Sequence, residues 1–171
     1  MQRASITPNA GTTSPKEQDL LRQVNITAES LPPDSFVQAE FIFESVDHSD
    51  ASFEVLIYFN NPTADHTTGR SAETGYVGSF DIFGHGRCFG APGHCDVPNR
   101  PLRHGDLREP HALTPVQKRV VITDALKHVL TTNEGGLTSM KLVPVTRATG
   151  GQPRQPADDL LRFGRLTLKT Y

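Results

Sequence analysis

A chain of 171 residues, 36% of them hydrophobic and with a formal net charge of −2, is long enough to bury one core and too short for two ordinary domains. The near-neutral charge excludes the basic footprint of a non-specific nucleic-acid binder, and the apolar fraction excludes disorder throughout. No apolar run is long enough to span a membrane, and residues 1–19 lack the apolar stretch of a secretory signal, so the expected partners include neither nucleic acid nor membrane and the default location is cytoplasmic.

Residues 1–19 are rich in Ser, Thr, Pro and Gly and read as a flexible arm, with Ser5-Ile6-Thr7 hinting at a first short strand. From Gln23, Val24, Ile26 and Ala28 fall on one face of a half-buried strand. Leu31-Pro32-Pro33-Asp34 interrupts the pattern, and Phe36–Val46 resumes it with aromatic and β-branched residues. Phe53–Phe59 is the strongest strand signal, with Phe53, Val55, Ile57 and Phe59 alternating until Asn60-Asn61-Pro62 stops it. Residues 61–74 are polar and turn-rich, and Gly75–Phe83 is the next strand. Val116–Ile122 alternates again, Thr123 is placed to cap a short helix over Asp124–Leu130, Leu137–Val145 is a strand, and Leu160–Thr170 closes the chain. About seven strands and one short helix predict an all-β fold, an antiparallel β-sandwich over residues 20–171.

The region between the fourth and fifth of those strands, Gly84–Pro115, is long, irregular and rich in glycine. Long segments without periodicity are the usual seat of function in a compact domain. It carries both cysteines of the chain and four of its seven histidines. Within it His85, Cys88, His94 and Cys95 are spaced His-x2-Cys-x5-His-Cys. Thiolates select Cu(I) and imidazole accepts either copper state, so the four are candidate metal ligands. A disulfide between Cys88 and Cys95 is the competing reading, and inert thiols a third; the six intervening residues match no common Cys-x-x-Cys metal site. His104 and His111, beside Arg103 and Arg108, read as solvated loop residues, and His48, His66 and His128 as surface residues. Arg100, Arg103, Arg108, Lys118 and Arg119 form a basic cluster that reads as a solvated rim rather than a docking face.

The order of these signals resembles the carboxy-terminal β-sandwich domain of tyrosinases and polyphenol oxidases, which are type-3 copper proteins. The resemblance is carried by Leu56-Ile57-Tyr58-Phe59-Asn60-Asn61-Pro62, by Gly78-Ser79-Phe80 leading to His85, and by Ile122-Thr123-Asp124-Ala125-Leu126. Met140-Lys141-Leu142-Val143-Pro144 and Gly164-Arg165-Leu166 continue it in the same order. The helical bundle that holds a dicopper centre has no counterpart, because none of the histidines shows the His-x3-His spacing such a bundle supplies. The resemblance therefore implies a non-catalytic shielding domain that covers the active site of a tyrosinase-like dicopper catalytic domain or subunit and assists copper loading, with copper held transiently. It also implies a side chain that plugs the partner's pocket, for which Phe89 is the candidate. Two alternatives stay open: a small mononuclear metalloenzyme using His85, His94 and His104 or His111, and a metal-free interaction module whose loop is pinned by a disulfide.

Overall fold

The computed structural model describes the backbone of residues 2–6 and the whole of residues 20–85, 104, 113–146 and 153–171. Among the described residues, eight strands and one complete α-helix are ordered β1 (Gln2–Ile6), β2 (Leu21–Ile26), β3 (Ala39–Val46), β4 (Phe53–Phe59), β5 (Tyr76–Ile82), β6 (Val116–Val121), α1 (Thr123–Thr132), β7 (Leu137–Thr146) and β8 (Arg165–Thr170). They form two four-stranded sheets, ordered β1-β8-β3-β6 and β2-β7-β4-β5. Every strand pairing is antiparallel. The expected all-β architecture is thus observed, and no helix among the described residues is long and apolar enough to cross a membrane.

The alternation of β4 explains the sandwich. Phe53, Val55, Ile57 and Phe59 face inward and meet Phe41 and Phe43 of β3, Met140 and Leu142 of β7, and Leu166 and Leu168 of β8 in one buried cluster. Aromatic rings bridge the two sheets: Phe41 stands edge-on to Phe59 at 5.9 Å and Phe43 lies 4.7 Å from Phe80. Such pairs add about 0.5–1.5 kcal/mol each beyond the area they bury.

The other face of β4 is buried too, which strict alternation did not anticipate. Leu56 and Tyr58 join Val143, Val145 and Ala64 in a second apolar cluster on the outside of the sheet. Residues 61–74, expected only as a polar turn-rich stretch, fold over it as a cover. The Tyr58 hydroxyl donates to the Thr68 carbonyl at 3.0 Å, and Asn61 Nδ2 donates to the Thr74 carbonyl at 2.9 Å. Glu54, in the same outward row, takes a two-pronged bond from Arg70 at 2.9 and 2.8 Å and a further contact from Arg154 at 3.4 Å. The cover closes at Gly75, whose φ of 79° and whose missing Cβ, which would stand 2.3 Å from the Phe59 carbonyl oxygen, leave no room for another residue.

Several boundaries differ from expectation. The strand expected to reach Ala28 ends at Ile26, where a turn with Thr27 N–H donating to Ser30 Oγ at 3.0 Å takes over. The last strand begins at Arg165 rather than Leu160, because Leu160 turns back with its N–H on the Ala157 carbonyl. The helix runs Thr123–Thr132, and Thr123 does not cap it. Its hydroxyl instead accepts the Ala39 N–H at 3.0 Å, fastening the helix entry to the start of β3. Within the segment expected as an arm, Gln2–Ile6 pair with β8; residues 7–19 lie outside the described residues.

Candidate functional site

The β4–β5 hairpin ladder ends with Phe53 opposite Ile82. Continuing past it, the chain after β5 runs beside the 48–52 turn that precedes β4. Gly84 N–H donates to Ser52 Oγ at 3.0 Å and His85 N–H donates to the His48 carbonyl at 2.9 Å. A Cβ on Gly84 would stand 2.0 Å from the Asp50 carbonyl oxygen and 2.3 Å from the Ala51 carbonyl carbon, so glycine alone permits this approach.

The result is a histidine pair. The His48 and His85 rings lie 4.8 Å apart, centre to centre, at 82° to one another. The turn that carries His48 is held at both ends. Asp47 N–H donates to the Arg162 carbonyl at 2.9 Å, and the Asp47 carboxylate accepts the Ser49 N–H at 2.9 Å and the Ser49 hydroxyl at 2.7 Å. Those bonds from Ser49, backbone first, hold the Asp47 carboxyl below its ordinary range against a small opposing effect of burial, with Arg162 adding to them.

The two rings have different hydrogen-bond states. His48 Nε2 is 2.7 Å from the Thr114 carbonyl oxygen. A carbonyl only accepts, so Nε2 carries the hydrogen and in the neutral ring Nδ1 keeps a lone pair. His85 Nδ1 is buried and has no hydrogen-bond partner among the described residues. Beside the pair, Phe83 is 78% exposed, with its ring 5.7 Å from His85.

Of the residues the sequence nominates, His85 is placed here, at the root of the irregular segment. Cys88, Phe89, His94 and Cys95 lie outside the described residues, as does His111, so neither the ligand set nor the Cys88–Cys95 disulfide is seen. His104 and His128 are exposed and His66 is half-buried. Among the described residues, no three or more His, Cys, Asp or Glu side chains gather as a metal site. His48, expected at the surface, is half-buried against His85. Thirty-odd residues separate the two in sequence, and only the hairpin register could have brought them together. Of the basic cluster, Arg119 lies 3.4 Å from the buried carboxylate of Glu40 and also donates to Gln117.

A second concavity opens at the opposite end of β4, about 20 Å away along the strand. It encloses about 610 Å³ between α1, the end of β4 and the start of β5. Phe59, Val77 and Val129 line it with Glu73, Asp124 and His128. Asn60 and Asn61, also in its wall, are committed to backbone groups of Gly136 and Thr74. What the fold defines is therefore a β-sandwich with a histidine pair at one end of its central hairpin and a mixed cleft at the other. No family model, no curated protein and no solved structure matches this chain.

Proposed function

We propose that the chain is a non-catalytic accessory domain that covers the active site of a tyrosinase-like type-3 copper enzyme and assists its copper loading. The observation that carries the reading is His85: a buried ring nitrogen without a hydrogen-bond partner among the described residues, presented by a hairpin where the chain enters the sequence that holds Cys88, Phe89, His94 and Cys95. A donor held on a scaffold at the base of a glycine-rich, thiol-bearing segment suits a metal that is received and then passed on, because the segment can change the number of donors while the base stays fixed. In this reading Cys88, His94 and Cys95 complete the copper ligands, and Phe89 enters the partner's pocket. The ordered resemblance along residues 20–171 supports the choice of partner.

The test is capture and copper loading together. The purified chain is mixed with a dicopper tyrosinase catalytic subunit, the complex is isolated by size, and copper in each component is measured. A stoichiometric complex that represses phenol oxidation until the two separate agrees with the proposal. A chain that binds neither Cu(I) nor the catalytic subunit refutes it.

A further inference from the structure

We infer that the cleft between α1 and the start of β5 binds a small organic ammonium ion, with its apolar body on Phe59, Val77 and Val129 and its cationic head at Glu73 and Asp124. The inference stands apart from the copper reading. His85 and Thr114, which flank the irregular segment, sit with His48 at the other end of the sandwich.

Three features of the cleft lead to this ligand. First, its walls are fixed before any ligand arrives. One is the 72–74 turn, locked by reciprocal bonds between Ser71 and Thr74 and closed at Gly75, whose N–H donates to the Ala72 carbonyl at 2.9 Å. The other is α1, anchored by the buried Leu126, Val129 and Leu130 and tied to β3 through the Thr123 hydroxyl. Preformed concavities of about 300–1,000 Å³ are the usual seat of small-molecule binding, and this one encloses about 610 Å³.

Second, its neutral polar side chains are already spent. Asn60 and Asn61 donate to the Gly136 and Thr74 carbonyls, the Thr74 hydroxyl engages the Gly69 and Ser71 carbonyls, and the Thr132 hydroxyl donates to the His128 carbonyl at 2.8 Å. A ligand therefore meets apolar surface and charge rather than an array of amides and hydroxyls.

Third, the charge has one sign. Glu73 comes from one wall and Asp124 from the other, and among the described residues no Lys or Arg lines the cleft. Arg70, whose guanidinium lies 5.9 Å from the centre of the Tyr76 ring, is bound two-pronged to Glu54. The hydrogen bond from Ser71, and then that from its own backbone N–H, hold the Glu73 carboxyl below its ordinary range, so it is ionised at neutral pH. The apolar floor selects an organic cation over a bare metal ion, which needs a shell of oxygen donors. Both carboxylates are exposed, so each adds a few-fold to affinity and apolar contact supplies the rest.

The test is an NMR titration of the full chain, at constant pH, with phenethylammonium, its neutral counterpart 2-phenylethanol and the anion phenylacetate. Phenethylammonium should give saturable shifts in the His128 ring and in the amides of residues 72–77 while His48 stays unmoved. At about threefold for each exposed charge pair, the alcohol should bind about 10-fold more weakly, and the anion more weakly still. A Glu73→Gln/Asp124→Asn double variant should lose that preference and keep its affinity for the alcohol. Ala72→Trp, which places an indole in the cleft from an exposed position, should weaken amine and alcohol alike. Melting curves show whether each variant folds, and the comparison of the three ligands on the unsubstituted protein needs no variant. Shifts that do not saturate at the cleft, an alcohol or anion bound as tightly as the amine, or an amine preference that survives loss of both carboxylates overturns the inference.

Discussion

Asn60 offers a quantitative test of how the sandwich is fastened. It ends β4 with φ at 50°, in the left-handed region that most residues with a Cβ avoid. Its side chain joins the end of β4 to the connection between α1 and β7. Nδ2 donates to the Gly136 carbonyl at 2.8 Å, while Oδ1 accepts the Thr138 N–H at 2.8 Å and the Ser139 N–H at 3.1 Å. Replacement by Ala removes these bonds, together with an exposed one from the Thr138 hydroxyl to Oδ1 at 3.1 Å, and leaves a Cβ in the left-handed region. The Gly136 and Ser139 bonds are partly buried and are each worth about 1 kcal/mol, whereas water can replace much of the exposed Thr138 bond. Left-handed backbone without a local polar group adds about 1–2 kcal/mol. Asn60→Ala should therefore cost about 3–4 kcal/mol, Asn60→Gly about 1 kcal/mol less because glycine relieves the backbone, and Asn60→Asp about 1 kcal/mol because it keeps the acceptor. Urea unfolding followed by circular dichroism reads these as midpoint shifts at constant slope. An Ala variant within about 1 kcal/mol of the parent, or a Gly variant as damaged as Ala, would refute this account of the corner.

Three further outcomes follow from the packing and the charges. Phe43, fully buried against Phe41, Phe80 and Phe163, should cost about 3–5 kcal/mol when replaced by Ala, seen in the same urea midpoints. Burial alone would raise the Glu54 carboxyl, but hydrogen bonds from Arg70 and Ser79, with the charges of Arg70 and Arg154, hold it below its ordinary value. A carboxyl lowered in the folded state stabilises above its unfolded value and loses that contribution as pH falls through the folded one, so stability should decline below about pH 4.3, and Glu54→Gln should flatten that decline when midpoints are compared across pH. Gly84→Ala must push the chain off the Asp50 and Ala51 carbonyl groups, at about 1–3 kcal/mol, and should abolish the His48–His85 ring contact in NMR.

The strands whose apolar residues alternate cleanly were legible in the sequence, β4 above all, and with them the sandwich. What alternation could not show was the second burial of β4. Leu56 and Tyr58 are apolar on the supposedly outward face, and their cover, residues 61–74, is polar because its hydrogen bonds are internal: Asp65 to Thr67 and Thr68, and Asn61 to Thr74. Thr123 illustrates a second limit. A threonine before a helix reads as a cap, yet a β-strand backbone nearby competed for its hydroxyl. His85 was legible as a candidate because it opens an irregular, cysteine-bearing stretch. His48 was not, since local spacing carries no trace of a neighbour supplied by the hairpin. The motif Asn60-Asn61-Pro62, which contributes to the resemblance, is a structural corner whose side chains are spent on backbone groups.

The most direct measurement of the central claim is copper transfer. The chain, loaded with Cu(I) and freed of excess metal, is mixed with a copper-free tyrosinase catalytic domain, and copper in each component and phenol oxidation are followed over time. The account predicts a stable complex, movement of copper into the catalytic domain, and oxidation that stays low until the complex is dissociated. Copper that remains on the chain, or a catalytic domain that neither binds the chain nor gains metal from it, would contradict it.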